Sequence, residues 1–244
     1  MQLHTYPTPD DLTPAFADWL VDYENTIVKQ HGRFTIALSG GNTPQHLYEL
    51  LATEAYRDKL SWAQWHIFWG DERAVPFADE RNNARMAYHA LLDHVPVPAS
   101  QIHVMRTDID PDASMVAYDK ILHQYFDGHE TTFDLALMGM GDDGHTLSLF
   151  PGTPVIHEAN DWTAAFFLPA QDMYRLTVTA PVVNRAAAVT FLLTGSGKAH
   201  ALREILEGDY QPDTYPSQVI KPANGNLHWF VDAAAAELLD THQE

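Results

Sequence analysis

The feature that most constrains this chain is an alternation of short apolar runs, about five residues each, with stretches of helical periodicity. Several of the runs close on a glycine-bearing turn. Phe34–Leu38 meets Ser39-Gly40-Gly41, Trp65–Trp69 meets Gly70, Phe133–Met138 meets Gly139-Met140-Gly141, and Val189–Leu193 precedes Thr194-Gly195. Ala164–Leu168, Leu176–Thr179 and Leu227–Val231 read as three further strands. Between them, residues 11–30 place Phe16, Trp19, Leu20, Tyr23 and Ile27 at helical spacing, and Gly32 follows as a stop. Helices are also expected over Thr43–Leu51, Asn82–Leu92, Ala113–Phe126, Lys198–Leu206 and Asp232–Leu239, the last capped by Asp232.

Apolar strands alternating with helices predict an α/β fold. The expected architecture is a single doubly wound domain over 1–244, a mostly parallel sheet with helices on both faces. The polar, proline-bearing stretches 93–100 and 207–222 read as surface loops. Ligands of such sheets bind beyond the carboxyl ends of the strands, so four glycine turns become the places to search.

Composition narrows the chemistry. The chain has no cysteine, which removes disulfides and thiolate zinc sites. Its net charge of −19, from 33 acidic against 14 basic side chains with no basic cluster, argues against a nucleic-acid partner. The most apolar stretch, Ala186–Leu193, is too short for a membrane helix of roughly 20 residues, and the first residues carry no secretory pattern. A cytoplasmic protein, monomeric or a small homo-oligomer, with neither membrane nor nucleic-acid partner, is expected. An anionic ligand would require a few of the scarce cations to be gathered in one place.

The first turn, Ser39-Gly40-Gly41-Asn42-Thr43-Pro44, has the glycines and the helix start of an anion site, although a ligand-free turn needs the same small residues. In Gly70-Asp71-Glu72-Arg73 the arginine can fork onto a phosphate or pair with its own acidic neighbours. Gly139-Met140-Gly141-Asp142-Asp143-Gly144 matches G-x-G-x-x-G, but two aspartates would repel a pyrophosphate and the acidic residue expected at the end of the next strand, about 20 positions on, is missing. What remains is His145 at a strand's carboxyl end beside carboxylates, a general-base position. A metal on Asp142, Asp143 and His145 lacks a second ligand cluster. Gly195-Ser196-Gly197-Lys198 lacks the earlier glycine of a Walker loop and has Ala199 where a magnesium-holding hydroxyl belongs, yet Lys198 suits a single phosphate.

Together these segments resemble the 6-phosphogluconolactonase family over nearly the whole chain. The resemblance is carried by SGGNTP at 39–44, GDERAVP at 70–76, FDLALMGMGDDGHTLSLFPGT at 133–153, RLTVTAPVVNRA at 175–186, FLLTGSGK at 191–198 and LHWFVDAAAA at 227–236. The related glucosamine-6-phosphate deaminases carry Asp-Glu-Tyr in place of Asp71-Glu72-Arg73 and Phe-Asn-Glu-Pro in place of Ser148-Leu149-Phe150-Pro151. The resemblance implies a fold like that of glucosamine-6-phosphate deaminase and ribose-5-phosphate isomerase. It also implies hydrolysis of 6-phospho-D-glucono-1,5-lactone by water, with neither metal nor organic cofactor. His145 is then the general base and Asp142 orients it. Arg73 and Lys198 supply charge for the phosphate beside the Gly40, Gly41, Asn42 and Thr43 amides. Asp71 pairs with Arg73, and Arg185 is a further phosphate contact. An aminosugar-phosphate deaminase-isomerase and a non-catalytic sugar-phosphate sensor are the alternatives.

Overall fold

The computed structural model describes residues 1–240. Nine strands run in chain order as β1 (Gln2–Tyr6), β2 (Phe34–Leu38), β3 (Trp65–Trp69), β4 (Asp71–Arg73), β5 (Leu135–Met138), β6 (Thr163–Leu168), β7 (Met173–Val178), β8 (Val189–Leu193) and β9 (Leu227–Asp232). The helices are α1 (Pro9–His31), α2 (Asn42–Leu51), α3 (Glu54–Arg57), α4 (Asn83–Ala87), α5 (Pro111–Phe126), α6 (Ala180–Val183) and α7 (Ala199–Leu206). Six strands form a parallel sheet in the order β1-β9-β8-β5-β2-β3, and β4-β7-β6 form a separate antiparallel sheet.

Side-chain alternation explains why the inner parallel strands place apolar residues on both faces. Phe34, Ile36, Leu38, Trp65, Ile67, Trp69, Leu135 and Leu137 point into one core with Phe16 and Leu20 of α1 and Leu47 of α2. Ala37, Phe68, Ala136, Met138, Val189 and Phe191 point to the other, against Tyr118 and Leu122 of α5 and Leu202 of α7. Both faces are therefore covered, as the sequence pattern requires. Thr8 and Asp110 cap α1 and α5, while Gly32 in the left-handed conformation ends α1.

Several expectations need correction. β1 is a partly exposed edge strand beside β9, too polar to stand out from the sequence. β6 and β7 leave the parallel sheet, because a tight turn at Pro169–Gln171 with Asp172 at φ 50° makes them a hairpin. A parallel pairing would need a crossover of about a dozen residues. Asp71–Arg73, expected as a loop, is a strand paired with β7. The helix expected over Asn82–Leu92 is α4, which continues as a π-helical turn over Tyr88–Leu92. Among the described residues no helix follows Asp232: Ala233–Leu239 is a series of turns, and the Asp232 carboxylate accepts N–H groups from Ala235 and Gly195. The stretch 207–222 is not wholly superficial either. Pro216, Ser217, Gln218 and Ile220 are buried, and the Gln218 side chain satisfies the backbone of Glu204, Asp209 and Gln211.

This topology positions the site. β8, β5, β2 and β3 are consecutive neighbours, so the turns after Leu193, Met138, Leu38 and Trp69 open side by side. Two buried tyrosines tie off the strand ends. Tyr48 of α2 donates to the Ser39 carbonyl and accepts its N–H, at 2.8 and 3.1 Å. Tyr118 of α5 does the same for Trp69, at 3.0 and 2.8 Å. Each hydroxyl satisfies backbone groups that the ladder abandons where the chain turns out of the sheet.

Candidate active site

A cleft of about 240 Å³ opens over these four strand ends, lined by Gly40–Thr43, Asp71, Arg73, Asn83, His145, Arg175, Thr194 and Lys198, among others. Of the residues singled out in the sequence, Gly40, Gly41, Asn42, Thr43, Asp71, Arg73, His145 and Lys198 come together here. Asp142 and Arg185 are not among its lining.

The first wall is the β2–α2 turn. Gly41, at φ 100°, caps α2 without any side-chain hydrogen bond, which leaves the first-turn amides to another acceptor. Helix N-termini carry partial positive charge and favour anions. Gly40 is required by packing: a Cβ there would lie 1.9 Å from Asn83 Oδ1. The helix begins at Asn42, two residues before Pro44, so the proline sits inside the first turn and not at its first position. Thr43 Oγ1 meets Thr194 Oγ1 at 2.8 Å and joins this wall to the β8 turn.

The floor is a buried charge network that the sequence did not reveal. In the β4–β7 ladder Arg73 stands opposite Arg175, and Asp71 shares the face of Arg73 by strand alternation. Arg175 donates to Asp71 Oδ2 at 2.8 Å, to Ser148 Oγ at 2.9 Å and to Gln171 Oε1 at 3.0 Å. Ser148 donates to the same Asp71 oxygen at 2.7 Å. Burial by itself would push the Asp71 carboxyl up, but Arg175, Arg73 and the Ser148 hydrogen bond hold it below the usual carboxylate range. Asp71 therefore pairs with Arg175, not with Arg73 as expected, because the antiparallel ladder delivers the Arg175 guanidinium to it. Arg73 turns away, with Nη1 donating to the Arg81 carbonyl at 2.7 Å. Its Nε is shielded from solvent and has no partner among the described residues. The residue nevertheless lines the cleft, where a guanidinium is suited to an incoming anion.

Glu72, on the opposite side of β4, is buried and accepts backbone N–H groups from Arg73, Asn83 and Ala84 at 2.7–2.8 Å. It thereby fixes both the Arg73 backbone and the start of α4. Burial raises its carboxyl to about 7 even against those hydrogen bonds.

The β5 turn carries His145, the candidate base. His145 Nδ1 lies 2.6 Å from Asp143 Oδ1, and the same oxygen accepts the His145 backbone N–H at 3.1 Å. Desolvation would raise the Asp143 carboxyl, yet its hydrogen bond and attraction to His145 lower it overall. A carboxylate on Nδ1 holds the proton there and leaves Nε2 as the basic nitrogen. Phe150 stacks on the imidazole with centroids 4.1 Å apart, and the Arg175 guanidinium lies 5.4 Å from the Phe150 ring centroid. Ser217 N–H and Oγ both donate to the Gly144 carbonyl, so the 207–222 segment supports this turn from beneath.

The orienting carboxylate is thus Asp143, one residue beyond the expected Asp142. Asp142 instead accepts from Lys198 Nζ at 2.5 Å. Adjacent aspartates in an irregular turn point in different directions, which no spacing rule resolves. Arg185 is a clearer departure. It lies 5.0 Å from the Trp162 ring centroid and donates to the His129 carbonyl, while its own carbonyl accepts from Thr132 ahead of β5. That puts it near the amino ends of the strands, away from the cleft. Arg175 was in view within the RLTVTAPVVNRA segment, but its role depends on β7 pairing with β4. No group of three or more His, Asp or Glu side chains suited to a metal occurs among the described residues.

Comparison with known proteins decides the family. A model described as "Glucosamine-6-phosphate isomerases/6-phosphogluconolactonase" matches residues 7–229. This chain belongs to that family. Among its relatives is a 6-phosphogluconolactonase of Synechocystis sp., 44% identical over 216 residues, with 87% of each chain covered. A crystal structure of a protein called devB is 30% identical with a TM-score of 0.89, covering 98% of this chain and 99% of that one. A 6-phosphogluconolactonase structure from Trypanosoma brucei is 26% identical with a TM-score of 0.83, and 98% of both chains is covered. No described helix is long and apolar enough to cross a membrane.

Proposed function

We infer that this family member hydrolyses 6-phospho-D-glucono-1,5-lactone to 6-phospho-D-gluconate, the lactone-opening step of the oxidative pentose phosphate pathway. The observation that carries the reading is the meeting, in one cleft, of a carboxylate-oriented histidine with Arg73, which has no carboxylate within ion-pair distance among the described residues, and an uncapped helix N-terminus. The identity to 6-phosphogluconolactonases supports the same substrate.

In this mechanism the α2 amides, Arg73 and Lys198 receive the phosphate, so the lactone carbonyl faces His145. His145 Nε2 takes a proton as water attacks the carbonyl carbon, and the carbonyl oxygen gains negative charge. Asp143 stabilises the resulting imidazolium. The tetrahedral intermediate then collapses, the bond from that carbon to the ring oxygen breaks, and the imidazolium returns its proton to the leaving oxygen. The product carboxylic acid ionises and releases a proton to solvent. The reaction calls for no cofactor and no serine or cysteine nucleophile. The reading places the enzyme in the cytoplasm, as a monomer or small homo-oligomer with a sugar-phosphate lactone as its only ligand.

The test is acid release from freshly prepared lactone, measured against the spontaneous rate, with wild type and His145→Ala. Wild type should open the lactone well above background, and His145→Ala should lose about 10²–10⁴-fold in kcat. Ammonia release from glucosamine 6-phosphate, without lactone opening, would transfer the chain to the aminosugar branch of the family.

A further inference from the structure

We propose that Asp142 is a specificity-determining residue whose carboxylate competes with the substrate's phosphate for the Lys198 ammonium, and so sets the affinity of the cleft for phosphorylated ligands. The proposal rests on the lactonase reading of the cleft and adds to it a residue that weakens binding.

The geometry separates the two aspartates of the turn. Asp143 serves His145, and Asp142 has no described partner in the base assembly. Its carboxylate lies 2.5 Å from Lys198 Nζ. The Lys198 side chain is 25% exposed and lines the cleft, whereas the Asp142 side chain is 72% exposed and does not. The carboxylate thus approaches the ammonium from the solvent side. It also packs against the turn that carries the lysine, since a Cβ on Gly197 would meet the Asp142 carboxylate at 3.2–3.4 Å.

The three cleft cations differ in how they are neutralised. Arg175 is matched by the buried Asp71, which no ligand can displace without leaving a charge stranded. Arg73 has no carboxylate within ion-pair distance among the described residues, and its Nε has no partner there. Lys198 alone is matched by an exposed, displaceable carboxylate. An arriving phosphate has two routes. It can share the ammonium, which has three donors, and then a phosphate of charge about −1.5 to −2 faces the Asp142 carboxylate across one nitrogen. Or it can draw Lys198 away and break the ion pair. Both routes cost affinity, and both apply equally to substrate and product, because the phosphate survives the reaction. Asp142 therefore favours release of phosphorylated product at the expense of a higher KM. Binding shared by ground and transition states lowers KM without helping the chemical step.

Asp142→Asn keeps the side chain's size and an oxygen that accepts from Lys198, and removes only the charge. Exposed ion pairs are weak, so KM for the phosphorylated lactone should fall by about two- to fivefold. KM for unphosphorylated gluconolactone should stay unchanged, and inorganic phosphate should become a stronger competitive inhibitor by the same factor. In a Lys198→Ala background the Asp142→Asn gain should vanish, since the double-mutant cycle isolates the pair. An Asp142→Asn KM that is unchanged or higher overturns the proposal, the latter by showing that Asp142 holds Lys198 ready for phosphate. A gain that persists without Lys198 overturns it too, by assigning the effect to the general acidic field. Wild type that fails to open the lactone would remove the lactonase reading alone. Calorimetric titration of inorganic phosphate into wild type and Asp142→Asn then still decides the competition: tighter binding to the variant supports it, and equal or weaker binding sinks it.

Discussion

Gly141 offers a sharp test of whether His145 works from its observed position. A Cβ built on Gly141 would lie 2.1 Å from His145 Nδ1, 2.3 Å from Cε1 and 2.6 Å from Asp143 Oδ1. Ordinary contact begins near 3.4 Å, so in Gly141→Ala the imidazole must recede by roughly 1.3 Å, and its carboxylate partner must shift with it. A misplacement of about 1 Å can cost 10²-fold in rate, which corresponds to roughly 2.7 kcal/mol in the barrier. Gly141 is not among the positive-φ glycines, so alanine is not strained there by its backbone. The displaced groups lie on a partly exposed turn. Stability should therefore change by less than about 1 kcal/mol, or roughly 2–4 °C in Tm. The assay is kcat for lactone opening by acid release, beside thermal unfolding and His145→Ala as the floor. Folded Gly141→Ala with kcat near wild type would show that the Asp143–His145 arrangement is not the reactive one. A loss deeper than that of His145→Ala would show that the turn contributes more than its histidine.

Arg175→Met strands the Asp71 charge in the floor of the cleft. It should cost about 3–5 kcal/mol, lowering Tm by roughly 6–20 °C, with partial recovery in Arg175→Met/Asp71→Asn; a single variant as stable as wild type would contradict the buried pair. Glu72 binds its proton more tightly in the folded chain, at about 7 against 4.5. The stability that Glu72 contributes should therefore be fully present below 4.5, decline as pH rises to 7 and level off above it. The decline has an upper limit of about 3 kcal/mol, should disappear in Glu72→Gln, and is read from denaturant titrations across that range. Arg73→Ala should raise KM for the phosphorylated lactone about tenfold or more while affecting an unphosphorylated lactone much less; equal losses on both would place Arg73 at the reacting carbonyl. Dialysis against EDTA should leave the rate unchanged, and activity restored only by added zinc or manganese would overturn histidine-only base catalysis.

Local rules carried much of this protein. Phe34–Leu38, Trp65–Trp69 and Val189–Leu193 coincide with β2, β3 and β8, because a strand buried on both faces is mostly apolar along its length. Gly32 ends α1 where a left-handed residue is needed, and the glycine turns mark the strand ends that carry His145, Arg73 and Lys198. Pairing across the chain was not legible in the same way. Arg175 lies 104 residues from the Asp71 it neutralises, and only the β4–β7 ladder brings them together. The choice between Asp142 and Asp143 as partner of His145 turned on the path of one irregular turn, and Arg185 proved to lie near the amino ends of the strands. Periodicity and turn chemistry are properties of neighbouring residues and are written along the chain. Which carboxylate meets which cation depends on sheet partners and turn direction, which exist only after the strands have found one another.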